Sequence, residues 1–312
     1  VHEGAAPSSI AELPPLPLGY HRLEVATSSG THHTTLISAP ALCWQPETID
    51  AGERLWGATA QVYGLRSARN FGIGDYSDIA EAAEGLGRLG GSFLGLSPVH
   101  ALFSSDRTKI SPYSPSSRLF LETNFIDPSA IPGFSGSKAA RLLDDPGLRE
   151  RLQAARESAL VDHEAAWSVK RPILDALWRE RDWSSNAEFA AFLGSGGDAL
   201  ARHATFEALS EFHREQSRWW LGDWPREHRR PDTPAVDEFR RGQAERVSFH
   251  AWLQWVADVQ LAAAAQAARS CGMPIGLYRD LAVGADGGGS EIWAHPDRYA
   301  AGVSVGAPPD PL

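Results

Sequence analysis

A strand, a helix and a second strand fall within residues 56–96, and this succession restricts the fold more than any other stretch of the chain. Ala58, Thr59, Ala60, Val62 and Tyr63 read as a short apolar strand, followed by a Gly72-Ile73-Gly74-Asp75 turn. Ile79, Ala82, Ala83, Leu86 and Leu89 then recur on one face of a helical period of about 3.6 residues. Asp75 or Ser77 can cap the free N–H groups of that helix, and Gly90-Gly91 ends it. Phe93-Leu94-Gly95-Leu96 is the second strand, closed by Ser97-Pro98. Two strands joined by a helix run parallel, so the fold class is α/β.

The pattern returns near the other end of the chain. Residues 249–271 form an Ala-rich helix with Trp252, Leu253 and Trp255 as its bulky face, and Gly272 stops it. Pro274-Ile275-Gly276-Leu277-Tyr278 enters a third strand that ends at Arg279-Asp280. Parallel units of this kind suit a barrel or an open doubly wound sheet. Three parallel strands leave exposed edges, so more of the sheet is expected than this sequence contains. Between the second and third strands, residues 104–118 form a long Ser/Pro-rich loop, a length usually functional or disordered. Residues 138–241 read as an inserted helical subdomain. Ahead of all this, residues 1–18 read as an extended lead-in, and residues 19–37 as a hairpin with Leu23 and Val25 on one face. Residues 1–50 are therefore expected to be the end of a small β-rich domain with a linker, and residues 51–312 the start of an α/β barrel. Val1 is not a methionine, and polypeptide is expected upstream of it.

Composition excludes several functions. A net charge of −10 argues against a phosphate-backbone binder, so no nucleic-acid partner is expected. No apolar run reaches the roughly 18 residues of a spanning helix, and no basic leader precedes an apolar one, so no membrane partner is expected either. Two cysteines, Cys43 and Cys271, cannot build a disulfide framework, which points to the reducing cytoplasm.

Conventional site motifs are missing. Gly72-Ile73-Gly74-Asp75 and Gly287-Gly288-Gly289 lack the further glycine and lysine of a phosphate cradle. His32 and His33 are neighbours on a strand, so their rings point to opposite faces, and no metal is expected. Attention falls instead on the strand ends. Asp280 sits where a carboxylate would face the mouth of a parallel barrel, or else caps a helix or pairs with Arg279. Tyr113, within Ser111-Pro112-Tyr113-Ser114-Pro115, offers a flat ring with a polar tip that suits a sugar face, or else anchors its loop by packing. Trp219, Trp220 and Trp224 could stack on sugars as well, but their helical spacing favours core packing.

Taken in order, these segments resemble the 4-alpha-glucanotransferases of glycoside hydrolase family 77. The resemblance runs through Leu65-Arg66-Ser67, Asn70 to Asp75, Leu96-Ser97-Pro98-Val99-His100 and the block from Ser111 to Arg118. It continues with Phe249, Trp252-Leu253-Gln254-Trp255, the stretch from Ile275 to Gly284, Glu291-Ile292-Trp293-Ala294 and the stretch from Gly306 to Asp310. Leu16-Pro17-Leu18-Gly19-Tyr20-His21 is similar to the end of the β-rich domain of longer members, whereas Glu122-Thr123 stands where many carry Asn-Pro. The resemblance implies a (β/α)8 barrel with helical insertions. It also implies transfer of α-1,4-glucan segments between maltooligosaccharides by a retaining double displacement, without metal or organic cofactor. That chemistry needs two carboxyl groups about 5–5.5 Å apart. In this family both come from later strands, so they are expected beyond Leu312 and no catalytic residue is expected here. Ser111, Tyr113, Asp280 and Asp310 are the implied substrate-binding residues. A non-catalytic α-glucan-binding protein and a related debranching transferase are the alternatives.

Overall fold

The computed structural model describes residues 13–300 and residue 303, in two units, Val1–Arg54 and Leu55–Leu312. Most of the expected lead-in (residues 1–12) and Asp310 lie outside the described residues.

In the first unit, β1 (Gly19–Thr27) pairs antiparallel with β2 (Gly30–Ser38) across a Ser28-Ser29 link. Thr27 Oγ1 accepts the Ser29 N–H at 3.3 Å and donates to the Gly30 carbonyl at 3.0 Å, which closes the turn. Tyr20 and Ile37 are register partners, and both are exposed. A short helix, α1 (Glu47–Asp50), follows.

The second unit opens with β3 (Gly57–Ala60), shorter than its apolar run suggests. Val62 and Tyr63 leave the sheet in a 3₁₀ turn, because Ser97 Oγ captures the Val62 N–H at 3.3 Å. Next, α2 (Tyr76–Arg88) is capped by Asp75, whose carboxylate accepts the Asp78 N–H while Asp78 accepts the Asp75 N–H. Ile79 and Ala83 are buried as the period requires, but Leu89 is the C-cap and stands exposed. β4 (Phe93–Leu96) lies parallel to β3, Gly57 opposite Phe93 and Ala60 opposite Leu96. The chain then makes two strands that the sequence does not announce. β5 (His100–Ala101) and β6 (Ser117–Leu121) pair antiparallel and bracket residues 102–116.

A helical stretch follows: α3 (Lys138–Arg141), α4 (Pro146–Glu157), α5 (His163–Arg179), α6 (Ala187–Glu215), α7 (Pro234–Gly242) and α8 (Ala244–Ser270). β7 (Gly276–Arg279) returns to lie parallel to β4, giving the order β3-β4-β7, and α9 (Ser290–Ala294) is the last described α-helix. The three parallel strands and their helices make this an α/β fold.

Packing explains why the helices sit as they do. Phe249, Trp252 and Leu253 on α8 are fully buried, and Trp252 meets Trp183 at 5.2 Å between ring centroids. Burying aromatic rings of this size is the largest apolar contribution available to a core. The entry to α2 is held differently. Arg69 donates to Asp75 at 3.1 Å, Asp78 at 2.6 Å and Asp127 at 2.7 Å, and all three carboxylates are almost wholly buried. Lys170, fully buried on α5, donates to the Asn124 carbonyl at 2.6 Å beside the same acids.

Candidate functional site

Parallel strands present their carboxyl ends on one face, and in α/β folds that face is where ligands bind. Here it is formed by Ala60, Leu96 and Arg279 and the loops that leave them. The Asp280 N–H donates to the Leu96 carbonyl at 3.0 Å, so the ladder continues one residue past β7 and places Asp280 at the strand tip. Its carboxylate accepts the Leu281 N–H at 2.8 Å and is exposed. It caps no helix, and among the described residues it makes no salt bridge, with Arg279 or otherwise.

Tyr113 meets Asp280 on this face. Desolvation, and after it the charge of nearby Asp280, raise its phenol above the ordinary tyrosine value, with Tyr63 contributing less. Tyr113 is 60% exposed. Ser111 is exposed two residues earlier, and its carbonyl closes a turn on the Ser114 N–H at 3.2 Å. Tyr113 therefore lies near Asp280, and Ser111 sits two residues away in the same turn.

The loop bearing Tyr113 is ordered by groups that sequence reasoning did not single out. Glu122 accepts the Leu102 N–H at 2.8 Å and pairs with buried Arg107, itself bound to Thr123 Oγ1 at 3.0 Å. On the far side, the Asp286 N–H donates to the Pro115 carbonyl at 2.8 Å and the Ser290 N–H donates to Ser116 Oγ at 2.9 Å. Gly289 makes this approach possible: a Cβ there would lie 2.4 Å from the Ser116 carbonyl oxygen. Part of the triple-glycine run is thus explained by close packing. Arg118 binds Glu291 at 2.6 Å and the Val283 carbonyl at 3.0 Å, while Tyr299 donates to Glu291 at 2.6 Å. Burial opposes ionisation of Glu291, but these partners hold its carboxyl below the usual range. His100, which burial and Arg118 keep neutral, accepts the Ala282 N–H at 3.2 Å and fixes the chain just after Asp280.

Below the loop lies Glu207 of α6, almost wholly buried. Its Oε2 accepts both the N–H and the hydroxyl of Ser104, while Oε1 has no partner. A cavity of about 10 Å³ adjoins it, lined by Glu122, Thr123, His203, His250 and Gln254 among others. Burial pushes the Glu207 carboxyl up to about 7, with Ser104 and Arg107 opposing the rise. The unfolded chain loses this proton near the ordinary value of 4.5, before the folded one does. Stability from this group therefore falls as pH rises from about 4.5 to 7, by a few kcal/mol at most, and is level above that window. Glu207→Gln is expected to flatten that decline in urea midpoints measured between pH 5 and 8.

No group of three or more His, Cys, Asp or Glu side chains is placed to hold a metal ion among the described residues. The tryptophans divide. Trp224 is buried, as its spacing favours, whereas Trp219 and Trp220 are 54% and 61% exposed and lie beyond the end of α6.

The family model for 4-alpha-glucanotransferase matches residues 60–312, and the chain belongs to that family. It is 31% identical to the 4-alpha-glucanotransferase of Haemophilus influenzae, over 97% of this chain and 45% of that one. With the 4-alpha-glucanotransferase of Mycobacterium bovis the identity is 35%, over 95% of this chain and 41% of the other. The crystal structure of amylomaltase from Corynebacterium glutamicum superposes with a TM-score of 0.71 at 30% identity, covering 90% of this chain and 38% of that one. The chain thus spans less than half the length of these relatives.

Proposed function

We propose that this chain carries one wall of the substrate groove of a 4-alpha-glucanotransferase, an enzyme that moves α-1,4-glucan segments between maltooligosaccharides. The observation that carries the reading is Tyr113 beside Asp280 at the carboxyl ends of parallel strands, in a chain of this family. A glucose ring is apolar across its C–H faces and polar around its edge. An exposed phenol offers the first surface a partner, and a strand-tip carboxylate accepts from the hydroxyls of the second. Ser111 adds a hydroxyl, and Asp310 belongs to the same groove in this proposal.

The three parallel strands are read as part of a (β/α)8 barrel, residues 138–241 as its helical insertion and residues 1–50 as the end of a β-rich domain with a linker. A retaining transfer needs a carboxylate to attack the anomeric carbon and a carboxylic acid to protonate the departing oxygen, which then deprotonates the acceptor hydroxyl. Neither group is assigned to this chain; polypeptide outside it supplies both. No described helix is long and apolar enough to cross a membrane. The free thiols of Cys43 and Cys271 fit a reducing, cytoplasmic setting for the proposed enzyme.

The division of labour is tested with maltotriose. The complete protein is expected to convert it to glucose and longer oligosaccharides, and the purified 312-residue chain to release no glucose. Disproportionation by the chain alone would put the bond-breaking groups inside it and contradict the proposal.

A further inference from the structure

Trp219 and Trp220 are more than half exposed. They leave α6 because Ser217 takes φ 60°, a left-handed cap usually reserved for glycine, while the Arg218 N–H returns to the His213 carbonyl at 3.0 Å. Trp224, buried against Phe206 at 5.5 Å, ties down the far side of this short segment. Each exposed ring has a cation against it. The Arg214 guanidinium lies 3.7 Å from the centre of Trp219, and Lys109 Nζ lies 4.6 Å from that of Trp220. The cations are held in turn by Asp106 at 3.4 Å and Asp286 at 3.1 Å. Asp106 and Lys109 belong to the loop that carries Tyr113, and Asp286 is bonded to Pro115 of that loop. One support therefore orients both the tryptophans and the strand-end groove.

We propose that Trp219 and Trp220 form an accessory stacking platform for an α-glucan chain, outside the groove at Tyr113 and Asp280. The proposal rests on the α-glucan reading above. Two flat rings, each held by a cation over one face and more than half exposed, suit the alternating apolar faces and hydroxyl edges of a sugar chain. Two side chains make too small an apolar patch for a stable protein interface, and a chain of net charge −10 repels nucleic acid.

Native electrophoresis of the complete protein through gels containing amylopectin, with excess maltotriose to occupy the groove, reads the platform directly. The unsubstituted protein is expected to be retarded. The double variant Trp219→Ala/Trp220→Ala is expected to lose roughly tenfold in affinity, and Trp219→Tyr/Trp220→Tyr to recover most of it. Trp44→Ala, at an exposed tryptophan of the other unit, is the control and should run as the unsubstituted protein does. Unchanged retardation of the alanine variant overturns the proposal. So does a loss accompanied by a lowered melting temperature that tyrosine does not restore, which makes the pair packing residues. Maltotriose turnover by the unsubstituted protein is scored separately. A protein that lacks it refutes the α-glucan reading, and one that has it but is not retarded refutes the platform alone.

Discussion

Arg69→Met is expected to destabilise the protein by about 3–5 kcal/mol. Arg69 is the common donor to Asp75, Asp78 and Asp127, whose side chains are 0%, 4% and 2% exposed. Methionine keeps much of the volume and removes the charge, leaving three buried carboxylates with buried Lys170 to offset them. Burial already pushes Asp75 up to about 6 with Arg69 in place. Without Arg69, Asp75 takes up its proton still more readily in the folded state than in the unfolded one. The variant should accordingly lose less at pH 5 than at pH 8. Urea denaturation at both values measures the loss and its sign. A drop under 1 kcal/mol, equal at the two pH values, would mean that the acids are solvated.

Tyr113→Ala in the complete protein is expected to lower kcat/KM for maltotriose by about 10²-fold. The substitution removes a ring face and a hydrogen-bonding hydroxyl from the proposed groove, together worth roughly 2–3 kcal/mol of transition-state binding. Folding should be untouched, since the side chain is largely exposed and buries little on its own loop. Trp219→Ala should affect this short substrate far less. Equal losses from the two would make Tyr113 a loop anchor, and a falling melting temperature would say the same.

The parallel frame was legible because its strands are short apolar runs punctuated by glycine and proline, and because α2 carries its own capping acid. Legibility failed where a distant side chain decides the outcome. Nothing local tells Val62 and Tyr63 to leave β3; the Ser97 hydroxyl does that from beyond β4. Leu89 keeps the helical period but falls on the last turn, where the chain is already leaving the helix. Trp219 and Trp220 continue the spacing of α6, and only the left-handed Ser217 takes them out of it. Buried Glu122 and Glu207 look like ordinary surface acids in the sequence, since their partners come from a loop whose path local pattern does not encode. Tyr113 and Asp280 were singled out by residue type and position at strand ends, yet their meeting depends on the loop anchors at Glu122, Asp286 and Ser290. The family resemblance, carried by ordered motifs, pointed to the same pair and is borne out by the family match.

A structure of the complete protein with a bound maltooligosaccharide bears most directly on the groove. A glucose ring is expected against the Tyr113 phenol, with a sugar hydroxyl donating to Asp280. Sugar bound elsewhere, with neither Tyr113 nor Asp280 touching it, would contradict that.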